Sequence, residues 1–208
     1  MKQILAFGDS LTWGADPVTG LRHPHPAQWP VVLEAGLTGA RVIGDGLGGR
    51  TTCRDDHSGP ASRNGAWALQ LALAVHMPLD LVILMLGTND LKPVHGGQAI
   101  SAQGGMRRLA EIVQTFPYKP RSAVPKLLIV APPPCGPTAN GGPAGGRIIA
   151  ESELFAPLYA SLAAELGCAF FDAGTVARPS VEDGVHLDAD NTIAIGKALV
   201  RPVAELLA

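Results

Sequence analysis

The sequence predicts a doubly wound α/β sandwich, one parallel sheet with helices on both faces. Three observations predict it. Short apolar runs recur along the chain, helical periodicities separate them, and the most apolar run, Leu81–Leu86, shows no alternation. A strand covered on both faces reads that way, whereas a half-exposed strand alternates. Strands alternating with helices make βαβ units, and right-handed crossovers wind them onto both faces.

The expected strands are Gln3–Phe7, Arg41–Gly44, Leu81–Leu86, Leu127–Ala131 and Ala169–Phe171. A short helix is expected near Ala27–Leu37. Asn64 stands where it can N-cap a helix through about His76, which Pro78 stops. Met106, Leu109, Ile112, Val113 and Phe116 keep a helical spacing ahead of Pro117. Leu154, Leu158, Leu162 and Leu166 form an i,i+4 apolar stripe, with Gly167 at the position that ends a helix. A last helix spans about Asp190 to Leu207, with a kink expected at Pro202. Neither an internal repeat nor a linker interrupts the chain, so residues 1–208 read as one domain. Pro132–Gly146 is a long Pro/Gly-rich insertion, of the kind used for lids, binding loops or interface arms.

Hydrophobic residues make up 47% of the 208 residues and charged residues 16%, which excludes disorder. With 16 Lys and Arg against 18 Asp and Glu, no nucleic-acid or anionic-membrane partner is expected. Mean hydropathy is high at +0.20. The uncharged stretches Asn64–Leu79 and Leu127–Gly146 are nonetheless too short, or too rich in Pro and Gly, to span a bilayer. The N-terminal apolar run before Asp9 is too short for a secretion signal. The chain is therefore read as cytoplasmic, its excess apolar content covering a subunit interface. Cys53, Cys135 and Cys168 match no zinc pattern and are expected as free thiols.

Four short blocks carry chemistry. Gly8-Asp9-Ser10-Leu11 follows the first strand, where an open α/β sheet places its sites. An isolated Asp-Ser would more often cap the next segment. Gly44–Thr52 follows the second strand and contains a literal GxGxxG at Gly44, Gly46 and Gly49. A dinucleotide reading needs a helix to open there, and Arg50–Pro60 has no helical period. Glycines there also permit close backbone approach, with a free N–H for an oxyanion. Gly87-Thr88-Asn89-Asp90 follows the third strand, and Asn89 can offer its NH₂ to negative charge or simply make a turn. Asp183-Gly184-Val185-His186 lets a carboxylate fold back onto Nδ1 and aim Nε2 at a nucleophile. Each block has an ordinary explanation alone. If the spatial order of the first three strands is 2-1-3, together they bring a nucleophile, a base with its acid, and oxyanion donors to one sheet rim.

These blocks, GDSL, GLGGRT, GTND and DGVH, resemble those of the SGNH or GDSL hydrolase family, in its order and across nearly the whole chain. Phe7–Gly14, Leu79–Asp90 and Phe170–Gly174 are similar to the small bacterial arylesterases of that family, some of which act as acyltransferases or perhydrolases and form higher oligomers. The resemblance implies a flavodoxin-like α/β/α sandwich with a five-stranded sheet of order 2-1-3-4-5. It implies Ser10 as nucleophile, His186 as base and Asp183 as its partner. The oxyanion hole would comprise the Ser10 and Gly49 amides and the Asn89 side chain. Gly44-Asp45 stands where the family usually has Asn, and Gly48 precedes Gly49, so the amide that points inward is open between these two.

The reading is thus a cofactor-free serine esterase acting on short-acyl aryl or alkyl esters. Leu11, Trp13, Lys92 and Val185 flank the blocks and are expected to line the substrate pocket. Two alternatives compete: a metal-dependent hydrolase using His23, His25, Asp55, Asp56 and His57, and a nucleotide-binding module using the Gly44–Gly49 loop. A GxSxG elbow is lacking, which excludes the standard α/β-hydrolase. A homo-oligomer is expected, with Pro132–Gly146 contacting another chain and narrowing access to Ser10.

Overall fold

A five-stranded parallel sheet runs in the order β2-β1-β3-β4-β5. Its strands are β1 (Lys2–Gly8), β2 (Ala40–Gly46), β3 (Leu81–Met85), β4 (Lys126–Ala131) and β5 (Ala169–Asp172). The computed structural model describes residues 1–120 and 122–208. Helices α1 (Ser10–Trp13), α2 (Trp29–Gly36), α3 (Gly65–His76), α4 (Ala99–Thr115), α5 (Ile149–Glu153), α6 (Phe155–Leu166) and α7 (Ala189–Leu207) complete the three layers.

The sheet divides the core in two. On one face Leu5, Phe7, Val82, Leu84, Leu127 and Ile129 pack under α3, α4 and α6. On the other, Ile4, Ala6, Leu81, Ile83, Leu128 and Val130 meet Trp29 and Leu33 of α2 and Ile195, Leu199 and Val203 of α7. Successive strand residues thus alternate between two dry faces, which is why the runs read as continuously apolar. Each fully buried Leu, Ile or Val on these faces contributes about 1.5–3 kcal/mol. Edge strands β2 and β5 are only half-buried, and their runs are correspondingly weaker in the sequence.

Helix ends follow local chemistry. Asn64 caps α3, its side chain accepting the Ala66 N–H. Asp188 caps α7, which begins at Ala189, one residue before the expected start, and continues through Pro202 to Leu207. Gly167 ends α6 at φ 63°. Of the Leu154–Leu166 stripe, Leu158, Leu162 and Leu166 pack against the core as expected, and only the first position is corrected. Leu154 is exposed, and the buried face is Phe155, Tyr159, Leu162 and Ala163. The aromatic residues one step along the helix bury more area than the leucines, and they decide its first buried position. The three cysteines are free thiols. Among the described residues, no helix is long and apolar enough to cross a membrane.

The Pro132–Gly146 insertion leaves the end of β4 and is fastened to its own chain. The Gly136 N–H donates to the Gly184 carbonyl at 2.8 Å and the Ala144 N–H to the Asp183 carbonyl at 2.7 Å. Between them Thr138 and Gly141 close a tight exposed turn.

Candidate active site

The carboxyl ends of β1, β2 and β3 bring three of the sequence blocks together. Asp9 caps α1 by accepting the Leu11 N–H at 2.9 Å, and this turns Ser10 into the first position of the short helix. Neither the Ser10 nor the Gly49 N–H donates to another group among the described residues. Gly49 is the third residue of a turn closed by the Arg50 N–H on the Leu47 carbonyl, 3.0 Å, where its φ of +81° explains the glycine. Asp90 clasps the second block to the third, taking the Thr52 hydroxyl at 2.6 Å and the Thr52 N–H at 2.9 Å.

His186 reaches this rim from the loop before α7. Its Nε2 lies 2.9 Å from Ser10 Oγ, and its Nδ1 lies 2.5 Å from Asp183 Oδ2. Asp183 Oδ1 accepts the Val185 and His186 N–H groups at 2.9 and 2.8 Å. The loop therefore folds the carboxylate back onto its own imidazole. Burial raises the Asp183 pKa, but the His186 ring and the two backbone donors outweigh it and hold the carboxyl below its ordinary value.

Asn89 is buried beside Ser10's own chain segment. Its Nδ2 donates to Asp9 Oδ2 at 3.2 Å and to the Arg50 carbonyl at 3.1 Å. Asp9 is 1% exposed. Burial pushes its carboxyl up to about 6, opposed by the Leu11 N–H and by the charges of His186, Arg147 and Arg50. Arg50 stacks 4.1 Å over Phe7 and is held by Asp45 at 2.8 Å, so the Asp that departs from the family pattern is paired within the same block.

The expected pocket residues divide. Lys92 is half-buried and lines a cleft of about 320 Å³ with Asp55, His57, Ser58 and His95. Burial, and then the Arg147 charge, hold its pKa below the ordinary lysine value. Trp13 is half-buried, with the Arg22 guanidinium 5.5 Å from its ring centre. Val185 is buried in the acid–base loop. Leu11 is corrected: it is 4% exposed and packs in the core face with Ile4, Ala6 and Trp29, because the first turn of α1 directs it down onto the sheet.

The two alternatives meet physical obstacles. His23 Nε2 donates to the Leu187 carbonyl at 2.8 Å and so steadies the residue after His186. Asp55 accepts from Asn64, and Asp56 is taken up by Ser58 and Arg63. Among the described residues, no group of three or more His, Cys, Asp or Glu side chains could hold a metal ion. At the GxGxxG loop no helix opens. The chain turns through Leu47–Arg50 and reaches its next helix only at Gly65, so no helix N-terminus faces a pyrophosphate.

The sequence reading missed Asp9 as a buried partner of Asn89, and it missed Arg147. Arg147 is 9% exposed and donates from Nε to the Thr88 carbonyl at 2.7 Å and from Nη2 to Asn89 Oδ1 at 2.9 Å. One signal could have found it: it is the first charge after the uncharged stretch Leu127–Gly146.

A flavodoxin-like sandwich with a serine, histidine and aspartate in hydrogen-bonded series on its strand-end rim defines the class of SGNH-type hydrolases. Residues 6–194 match the GDSL-like lipase/acylhydrolase family, and the chain belongs to it. It is a carboxylic ester hydrolase. Among solved structures it is similar to one called a "putative arylesterase" from Agrobacterium tumefaciens, at 69% identity over 100% of both chains, with a TM-score of 0.98. A carbohydrate acetylesterase family member from Sinorhizobium meliloti is 46% identical, covering 100% of this chain and 99% of that one, with a TM-score of 0.95. The M. smegmatis aryl esterase is 38% identical over 100% of both chains, with a TM-score of 0.90. Comparison with curated proteins returns no match.

Proposed function

We propose that the chain is a serine esterase that cleaves short-acyl aryl or alkyl esters through an acyl-enzyme on Ser10. The observation that carries this is the series Asp183–His186–Ser10, with 2.5 Å and 2.9 Å between successive partners. His186 takes the hydroxyl proton as Ser10 Oγ attacks the ester carbonyl, and Asp183 holds the ring and balances its charge. The oxyanion forms against the Ser10 and Gly49 amides and Asn89 Nδ2. Asn89's resting bonds of 3.1 and 3.2 Å are long, so one of them yields readily to the developing charge. His186 then protonates the leaving alcohol. Water, another alcohol or peroxide takes the acyl group, which gives acyltransferase and perhydrolase side reactions. No cofactor enters these steps.

A small acyl group is supported by the close quarters of the nucleophile: Ser10 is 9% exposed, with buried Asn89, Arg147 and Val185 on the same rim. The names of the similar structures, aryl esterase and carbohydrate acetylesterase, agree with a small acyl group and a varied alcohol. The polar cleft at Lys92 takes the alcohol side. A fluorescent organophosphonate should label the wild-type protein at Ser10 alone, and p-nitrophenyl esters should be cleaved fastest as acetate or propionate. Labelling that survives Ser10→Ala, or equal rates on octanoate, would refute the reading.

A cytoplasmic homo-oligomer belongs to the same proposal. Its support is the three free thiols and the stripe Trp67, Leu71 and Val75, which α3 leaves 68%, 67% and 63% exposed. Light scattering on the purified protein tests the assembly, and a monomeric mass would end it.

A further inference from the structure

The buried guanidinium of Arg147 has no place in the steps above, yet it touches one of their donors. Its three nitrogens go to three acceptors: the Thr88 carbonyl, the Ala144 carbonyl and Asn89 Oδ1. Burial lowers its pKa, with the charges of Cys135, Asp9 and Asp183 acting in the opposite direction.

We propose that Arg147 is a positioning residue that fixes the orientation of the Asn89 carboxamide and strengthens its N–H groups as oxyanion donors. A carboxamide has two ends of similar shape and opposite polarity, and only its hydrogen bonds decide which end faces where. In this site the decision is one-sided. With Oδ1 on Arg147 Nη2 at 2.9 Å, Nδ2 faces Asp9 and the Arg50 carbonyl. Turned over, the amide would set NH₂ against the guanidinium and Oδ1 against a carboxyl and a carbonyl oxygen. A charge-assisted bond to Oδ1 also draws electron density from the nitrogen, so the N–H groups become better donors. The same Arg147 grips the Thr88 carbonyl, which holds the backbone next to Asn89 as well. All three Arg147 contacts go to protein acceptors, so its effect on the reaction runs through Asn89.

The position in the chain adds a second consequence. Arg147 directly follows the insertion, and the Ala144 carbonyl that it holds belongs to the residue whose N–H binds the Asp183 carbonyl. One short segment therefore fastens both the oxyanion donor and the triad acid.

This inference rests on the serine-esterase reading, and a double-mutant cycle separates their fates. In the wild-type background Arg147→Met should lower kcat about 10–100-fold with KM changed less than about threefold, because the lost interaction matters most in the transition state. In the Asn89→Ala background the same change should cost less than about threefold, because the group it acts through is gone. Arg147→Lys, which keeps a charged donor but not the fork, should recover part of the loss and carries the cycle if Arg147→Met fails to fold. Circular dichroism and thermal unfolding establish which variants fold. Equal losses in both backgrounds, or a change in KM alone, would overturn the role of Arg147 while leaving the esterase intact. Full activity of Asn89→Ala would overturn the oxyanion assignment and this proposal with it.

Discussion

Half of the site rides on the sheet and half on a loop. Ser10, Gly49 and Asn89 stand just past β1, β2 and β3, three neighbours in one parallel register. Their separation is set by strand spacing and by a core buried on both faces. Asp183 and His186 have no such support. Their loop is shaped by its own side chain, with Asp183 Oδ1 accepting two backbone N–H groups. It is held from outside by the insertion and by His23 on the Leu187 carbonyl. The comparison teaches that geometry of one quality can be reached in two ways. The sheet half is rigid by packing, and the loop half is rigid by satisfied polar groups.

Perturbing each half in turn sharpens that contrast. The largest effect belongs to Ser10→Ala, which should fold normally and lose about 10⁴–10⁶ in kcat in a steady-state assay. An active variant would remove the nucleophile from the sheet half. Next comes Asn89→Ala, with a loss of about 10²–10³ in kcat and a smaller change in KM. A pure KM effect would make Asn89 a substrate-binding group instead.

The third effect is on stability and tests the burial of the sheet half. Asp9 in the folded chain titrates at about 6, above its ordinary 3.8. The folded state thus holds this proton more tightly than the unfolded chain, so unfolding becomes easier as pH rises between these values. Measured against Asp9→Asn by urea unfolding, the wild type should lose up to about 3 kcal/mol of relative stability from pH 4 to pH 7. A difference that stays flat with pH would contradict it. The smallest effect tests the loop half. Gly184 has φ +68°, and a Cβ there would lie 2.1 Å from the Gly136 carbonyl oxygen. Gly184→Ala should cost about 1–3 kcal/mol of stability and lower kcat by displacing Asp183, with Ser10 still in place. Unchanged thermal stability would show that the insertion does not hold the loop.

The same contrast explains what the sequence revealed. The strands, the three strand-end blocks and the Asp183–His186 pair were legible because each depends on local pattern or on spacing within a few residues, whereas the strand order 2-1-3-4-5 joins residues as distant as Ile4 and Leu81 and came only through the family resemblance. The first buried position of α6 was not, since Leu154 and Phe155 compete for it and only the packed aromatics decide it. Leu11 stands beside Ser10 in sequence but points into the core, because a single helical turn sends neighbours in different directions. The partner of Arg147 was hidden for a further reason. Arg147 lies 58 residues from Asn89 along the chain, and nothing in the Pro/Gly-rich segment before it has a period.

The fastening of the insertion also bears on how such an enzyme can change its substrates. Loops are the usual raw material for new specificity, since they vary without disturbing the core. Here the two ends of the loop are committed: Gly136 and Ala144 hold the acid's loop, and Arg147 holds Asn89. Only the exposed tip around Thr138–Gly142, outside those anchors, is left to vary at little cost. Substitutions at that tip are therefore expected to be tolerated, while substitutions at the anchors should disturb the catalytic residues they hold.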